Sequence, residues 1–105
     1  MIANEQNINK IIMKPTAITL CDIGNDWYKN NLEIHFEPDK YYPDYMKVEK
    51  WIMEKIDGER LNIEEVVNNV YEMLMRTYKP HKLKIIDVVT GNKVHFDVTV
   101  IKQSD

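Results

Sequence analysis

The sequence has 105 residues, 44% of them hydrophobic and 30% charged, an ordinary globular composition with room for one domain. A net charge of −3 supplies no basic stripe to neutralise phosphates, which argues against nucleic acid as a partner. The one cysteine, Cys21, excludes an internal disulfide and, with three histidines, gives no structural zinc set, so no metal is expected.

Residues 1–14 read as a polar N-terminal tail with one apolar cluster, Ile11-Ile12-Met13, free to fray or to dock on a neighbour. They contain no apolar signal core, and no run in the chain approaches the ~20 residues that cross a bilayer, so a cytoplasmic protein with no membrane partner is expected. Residues 15–105 read as a single domain. Thr16 to Cys21 alternate as a strand, with Ile18 and Leu20 on one face. A long loop, Asp22 to Asn31, is predicted from Gly24, Asn25, Asp26, Asn30 and Asn31. In the second strand Leu32, Ile34 and Phe36 share one face, and Glu33, His35 and Glu37 the other.

Pro38 to Pro43 forms a turn region. From Asp44, a fair N-cap, the period becomes helical through Tyr45, Val48, Ile52 and Ile56, and Gly58 stops the helix. Asn62 and Glu65 read as a capping box for a second helix with a stripe of Ile63, Val66, Val67, Val70, Met73, Leu74 and Thr77, ending before Pro80. A last hairpin follows. Leu83, Ile85, Asp87 and Val89 share a face, Thr90 to Lys93 turn the chain, and Val94, Phe96, Val98 and Val100 return opposite His95. The order is β-β-α-α-β-β, an α+β two-layer sandwich with two helices on an antiparallel sheet. Two open sheet edges would invite pairing with another copy, so a homo-oligomer is expected.

Several residues invite chemistry. Cys21 is a nucleophile candidate at a strand end, or a small packed hydrophobe. Asp26 is a general-acid candidate, or an Asx-turn residue, and Tyr28 is a second possible proton donor. Glu64 could accept paired hydrogen bonds from a ring N–H and an amine, or could serve only the helix dipole, and Glu65 is its neighbour in that role. Tyr41, Tyr42, Tyr45 and Trp51 gather near the first helix and suggest an interface. The histidines show no ligand spacing and read as solvated.

Two features sharpen the element order. Thr19-Leu20-Cys21 closes the first strand, and Pro38-Asp39-Lys40 follows Cys21 by seventeen residues, after the alternating strand. This resembles the tunnelling fold, in which neighbouring subunits join their sheets into an oligomeric barrel with sites between them. Within it, the chain resembles the nitrile reductases of queuosine biosynthesis, which reduce 7-cyano-7-deazaguanine with NADPH. Ile63-Glu64-Glu65-Val66-Val67-Asn68 stands where that family opens its second helix with His-Glu. The resemblance implies an oxidoreductase with a purine-like substrate, Cys21 forming a covalent thioimide, Asp26 or Tyr28 in the place of the family's Asp, and Glu64 or Glu65 anchoring the base. The family's NADPH-associated motif falls on 44–50, which makes Lys47 and Lys50 the cofactor-binding candidates. Ile63 replaces the family's His, and Val89-Thr90-Gly91-Asn92 replaces a late Pro-Arg-Gly-Gly element. The alternative is a non-catalytic oligomer that binds a purine- or pterin-like ligand and has lost reduction.

Overall fold

Leu32, Ile34 and Phe36 set the architecture, because their strand is the one on which the main sheet is assembled. The computed structural model describes residues 1–21, 24, 26–91 and 97–105. In chain order these form β1 (Ile2–Ala3), β2 (Ile11–Met13), β3 (Thr16–Leu20), β4 (Trp27–Glu37), β5 (Tyr41–Tyr42), α1 (Tyr45–Lys55), α2 (Ile63–Tyr78), β6 (Lys82–Gly91) and β7 (Val98–Gln103). The expected order of hairpin, two helices and hairpin is present. All pairs in the main sheet are antiparallel, in the order β2-β4-β6-β7, with β3 also on β4.

Several expectations change. Ile11–Met13 belong to the sheet rather than to a tail: Ile11 pairs Phe36 and Met13 pairs Ile34. β2 and β3 lie end to end along one edge of β4, separated at Lys14-Pro15, where the Pro15 carbonyl accepts from Leu32 N–H at 2.9 Å. Proline has no N–H to give a ladder, so it falls at a break in an edge strand. The first residues also dock, since β1 pairs β5 and Asn4 N–H donates to the Lys40 carbonyl.

The loop after Cys21 is much shorter than its breakers suggested, because Trp27 to Asn31 are strand. The two asparagines find partners inside the sheet. Asn30 Nδ2 donates to Thr19 Oγ1 at 2.8 Å and to the Ala17 carbonyl at 3.2 Å, and Asn31 Nδ2 donates to the Val88 carbonyl. With their N–H groups engaged in the sheet these amides lose their reason to break a strand, although Asn30 Oδ1 is buried without a partner.

Both helix caps form as read. The Asp44 carboxylate accepts from the N–H groups of Met46 and Lys47, and Asn62 and Glu65 complete the capping box. Lys79 closes α2 in the left-handed region at φ 47°, just before Pro80. We expect Asn62→Ala to cost about 1 kcal/mol, read as a lower urea midpoint with an unchanged slope. The helices bury Val48, Ile52, Val66, Val67, Val70, Met73 and Leu74 against the β4 and β6 face that carries Leu32, Ile34, Phe36, Leu83 and Ile85. A full side chain of this kind contributes roughly 1.5–3 kcal/mol by leaving water. The α2 stripe ends on Tyr78, not Thr77, which is exposed; Tyr78 meets Phe36 edge-on, with ring centroids 6.3 Å apart.

Asp87 occupies the core face of β6 as its alternation predicts, fully buried, with neither carboxylate oxygen in a well-formed hydrogen bond. The turn predicted at Thr90 to Lys93 begins later, because Thr90 and Gly91 continue β6 and pair with Lys29 and Tyr28, while Asn92, Lys93, Val94, His95 and Phe96 lie outside the described residues.

Candidate functional site at the turn between the third and fourth strands

Strand alternation puts Ala17 and Thr19 on the helix side of β3, and Tyr28 shares the side of Asn30 and Leu32 on β4. Thr19 pairs Tyr28 and Leu20 pairs Trp27, so β3 and β4 deliver Cys21 and Tyr28 to the same end of the sheet. Cys21 N–H donates to the Asp26 carbonyl at 2.8 Å, which closes the turn. A Cβ at Gly24 would stand 3.9 Å from both Cys21 Sγ and Asp26 Oδ2, so thiol and carboxylate border one small space that a glycine leaves open. The Tyr28 hydroxyl is held above the ordinary phenol range, first by its hydrogen bond with the Cys21 side chain, then by desolvation and the charges of Cys21 and Asp26. A nucleophile candidate and two proton-donor candidates therefore come together. The half-exposed thiol is accessible to a substrate.

The connection from α1 to α2 runs along the outer edge of β3. Ile18 N–H donates to Asp57 Oδ1 at 2.8 Å, Gly58 N–H to the Ile18 carbonyl at 2.7 Å, and Leu20 N–H to the Glu59 carbonyl at 2.9 Å. Leu20 and Arg60 form a parallel bridge, and Arg60 Nη1 donates to the Cys21 carbonyl at 3.1 Å. Gly58 takes φ +79°, a conformation that favours glycine. This part of the sheet edge is therefore covered, where an open edge had been expected, because the connection supplies the partners that β3 lacks.

Four residues beyond Arg60, Glu64 lies exposed in the first turn of α2. The Glu65 carboxylate is engaged, accepting from Asn62 N–H at 3.3 Å in the capping box. Glu64 thus has the freer carboxylate for a ligand at this end of the molecule.

Lys47 and Lys50 are not part of this cluster. They flank a surface depression of about 420 Å³ on α1 with Met46, Met53 and Glu54, and Lys50 pairs with Glu54 at 3.8 Å. At 1.5 Å of rise per residue they stand roughly 9 to 14 Å along α1 from its end at Ile56. A larger cleft, about 700 Å³, lies between α1 and the β2–β3 edge, lined by Met13, Pro15, Tyr45, Val48, Ile52 and Met53. None of the sequence-nominated site residues lines it. Tyr28 instead borders a depression of about 330 Å³ with Ile18, Trp27, Lys29, Thr90 and Gly91.

Of the aromatic residues near α1, Tyr41 and Tyr45 are exposed and Trp51 packs against the core. His35 meets Glu33 at 2.7 Å on the sheet face away from the helices. Among the described residues no group of three or more His, Cys, Asp or Glu converges, and no helix is long and apolar enough to cross a membrane. Sequence reasoning missed Arg60, since an arginine between two helices carries no pattern of its own. Its nearness to Cys21 depends on the connection pairing with β3.

The architecture has a solved counterpart. The chain superposes on the crystal structure of the archaeosine synthase QueF-Like in the apo form with a TM-score of 0.78 and 15% identity, over 92% of this chain and 94% of that one. The protein therefore has the QueF-like, tunnelling-type α+β fold. No protein-family model matches the chain. No curated protein sequence matches it either.

Proposed function

We propose that the chain captures a nitrile of the 7-deazaguanine class as a covalent thioimide on Cys21. The observation that carries this reading is the convergence of the Cys21 thiol, the Asp26 carboxylate and the Tyr28 hydroxyl at one strand turn of a QueF-like fold. The thiolate attacks the nitrile carbon while Asp26 or Tyr28 gives a proton to the nitrile nitrogen, leaving Cys21–S–C(=NH)–R. Glu64 accepts from the ring N–H and exocyclic amine of the base and fixes its orientation.

In the reductase form of this proposal, NADPH supplies hydride to the thioimide carbon when it is bound. Lys47 and Lys50 would hold its phosphates, from the chain itself or from a neighbouring subunit of a homo-oligomer. A second form has a specific observation in its favour: the structural counterpart is named a synthase, and the lysines line a depression that does not include Cys21. In that form a nitrogen nucleophile discharges the thioimide, forming a C–N bond and releasing the Cys21 thiol. The retained pocket without chemistry, a purine- or pterin-binding oligomer, is the alternative to both.

The test is the intact mass of the protein after incubation with 7-cyano-7-deazaguanine, beside Cys21→Ala. We expect an adduct of the nitrile's mass that the variant lacks. Adding NADPH or an ammonium salt then shows which one discharges it. An unmodified wild-type mass would overturn nitrile capture, and stabilisation by a purine or pterin panel would then point to the binding oligomer.

A further inference from the structure

We propose that Arg60 is the positioning residue that holds the Cys21 thiol in register with the substrate anchor; this rests on nitrile capture at Cys21 as read above. The Cys21 peptide is gripped from two sides. Its N–H is bound by the Asp26 carbonyl at 2.8 Å and its carbonyl by Arg60 Nη1 at 3.1 Å. With both backbone groups fixed, the direction of the Cα–Cβ bond is set, and the thiol lies beside Asp26 and Tyr28.

The backbone that carries Arg60 is itself held by the run that contains it. Residues 57–60 are bonded to β3 through Ile18 and Leu20, and the next turn is braced by the box between Asn62 and Glu65. Glu64 lies inside that braced turn. One continuous segment, 57–65, therefore holds the nucleophile's peptide at one end and carries the carboxylate proposed to bind the base at the other. Nitrile capture needs the thiol and the bound base at a fixed separation, and small displacements of a reacting group cost rate steeply. The guanidinium also places a cation at the Cys21 peptide, and a cation near a cysteine is one of the ways a thiolate is favoured. Lysine can supply the charge but not the planar fork of donors.

Cys21 is the one cysteine of the chain, so its alkylation is site-specific. The experiment measures the rate of Cys21 alkylation by iodoacetamide as a function of pH, and the rate of adduct formation with 7-cyano-7-deazaguanine. Both are read in the full chain for wild type, Arg60→Ala and Arg60→Lys, with a thermal melt of each. Arg60→Ala is expected to move the alkylation profile to higher pH and to slow capture about 10-fold. Arg60→Lys should restore the profile but not the capture rate. If Arg60→Ala does not fold, Arg60→Gln is read in its place. A variant with a lower melting temperature but wild-type profile and capture rate would reduce Arg60 to a structural strut and overturn the proposal. If wild type forms no adduct, nitrile capture fails by itself, and the alkylation profile still decides whether Arg60 governs the thiol.

Discussion

Replacing Asp87 by Asn should raise the melting temperature at about pH 8 by roughly 10 °C and flatten its dependence on pH. Asp87 is fully buried and neither oxygen makes a well-formed hydrogen bond. Burial pushes its carboxyl up from 3.8 to about 7, opposed only in part by the Asn31 backbone. Its flanking partners in the sheet are Leu32 and Val100, and the α2 face over the core offers valines, Met73 and Leu74. The charged residue on the same face of β7, Lys102, is occupied by Asn68 at 2.6 Å, Glu72 at 3.6 Å and the Tyr71 ring. Between about pH 4 and pH 7 the unfolded chain ionises this group while the folded chain keeps it protonated. The folded state binds the extra proton, so stability falls as pH rises through that window and levels off above it. The full difference corresponds to roughly 4 kcal/mol at most, softened by relaxation and water entry. The amide of Asn has no such ionisation cost. Melts of both proteins from about pH 5 to pH 9 check this, and a wild-type melting temperature that does not fall across that range would refute it.

Phe36→Ala should be the most damaging single truncation, at about 3–5 kcal/mol. Phe36 is fully buried at the crossing of β2, β4 and β6, paired with Ile11 on one side and Leu83 on the other, with Tyr78 edge-on above it. Its removal leaves a hole bounded by three strands and a helix end, where little can collapse inward. Urea unfolding of the variant measures the cost; a loss below about 1 kcal/mol would mean that the site refills.

The periodic elements were legible because each repeats its signal. Leu32, Ile34 and Phe36 announced the core face of β4, and Asn62 with Glu65 announced the start of α2. Asp87 was legible too, as a carboxylate in the apolar register of Leu83, Ile85 and Val89. The short segments were not. Ile11-Ile12-Met13 is too brief for a period, and its pairing depends on partners 21 to 25 residues away. Asn30 and Asn31 read as breakers because their partners, Thr19 Oγ1 and the Val88 carbonyl, are supplied by other strands. The same holds at the site. Cys21, Asp26 and Tyr28 could be named from the sequence, but their convergence and the reach of Arg60 to Cys21 are tertiary facts. Lys47 and Lys50 are nominated only by their likeness to a motif, and in the chain they border a depression on α1 whose lining does not include Cys21, Asp26 or Tyr28.

The position of β4 has a consequence for synthesis. Its first edge is served by chain that precedes it, Ile11–Met13 and Thr16–Leu20. Its second edge waits for Lys82–Gly91, which emerges only after both helices. A nascent chain therefore carries, for the time needed to make α1 and α2, a long strand with one bare side and a row of apolar residues. Such a strand is a template for another chain. The interval between the emergence of β4 and that of β6 is when this protein is most exposed to aggregation, and slowing translation there should lower its soluble yield more than slowing it anywhere else.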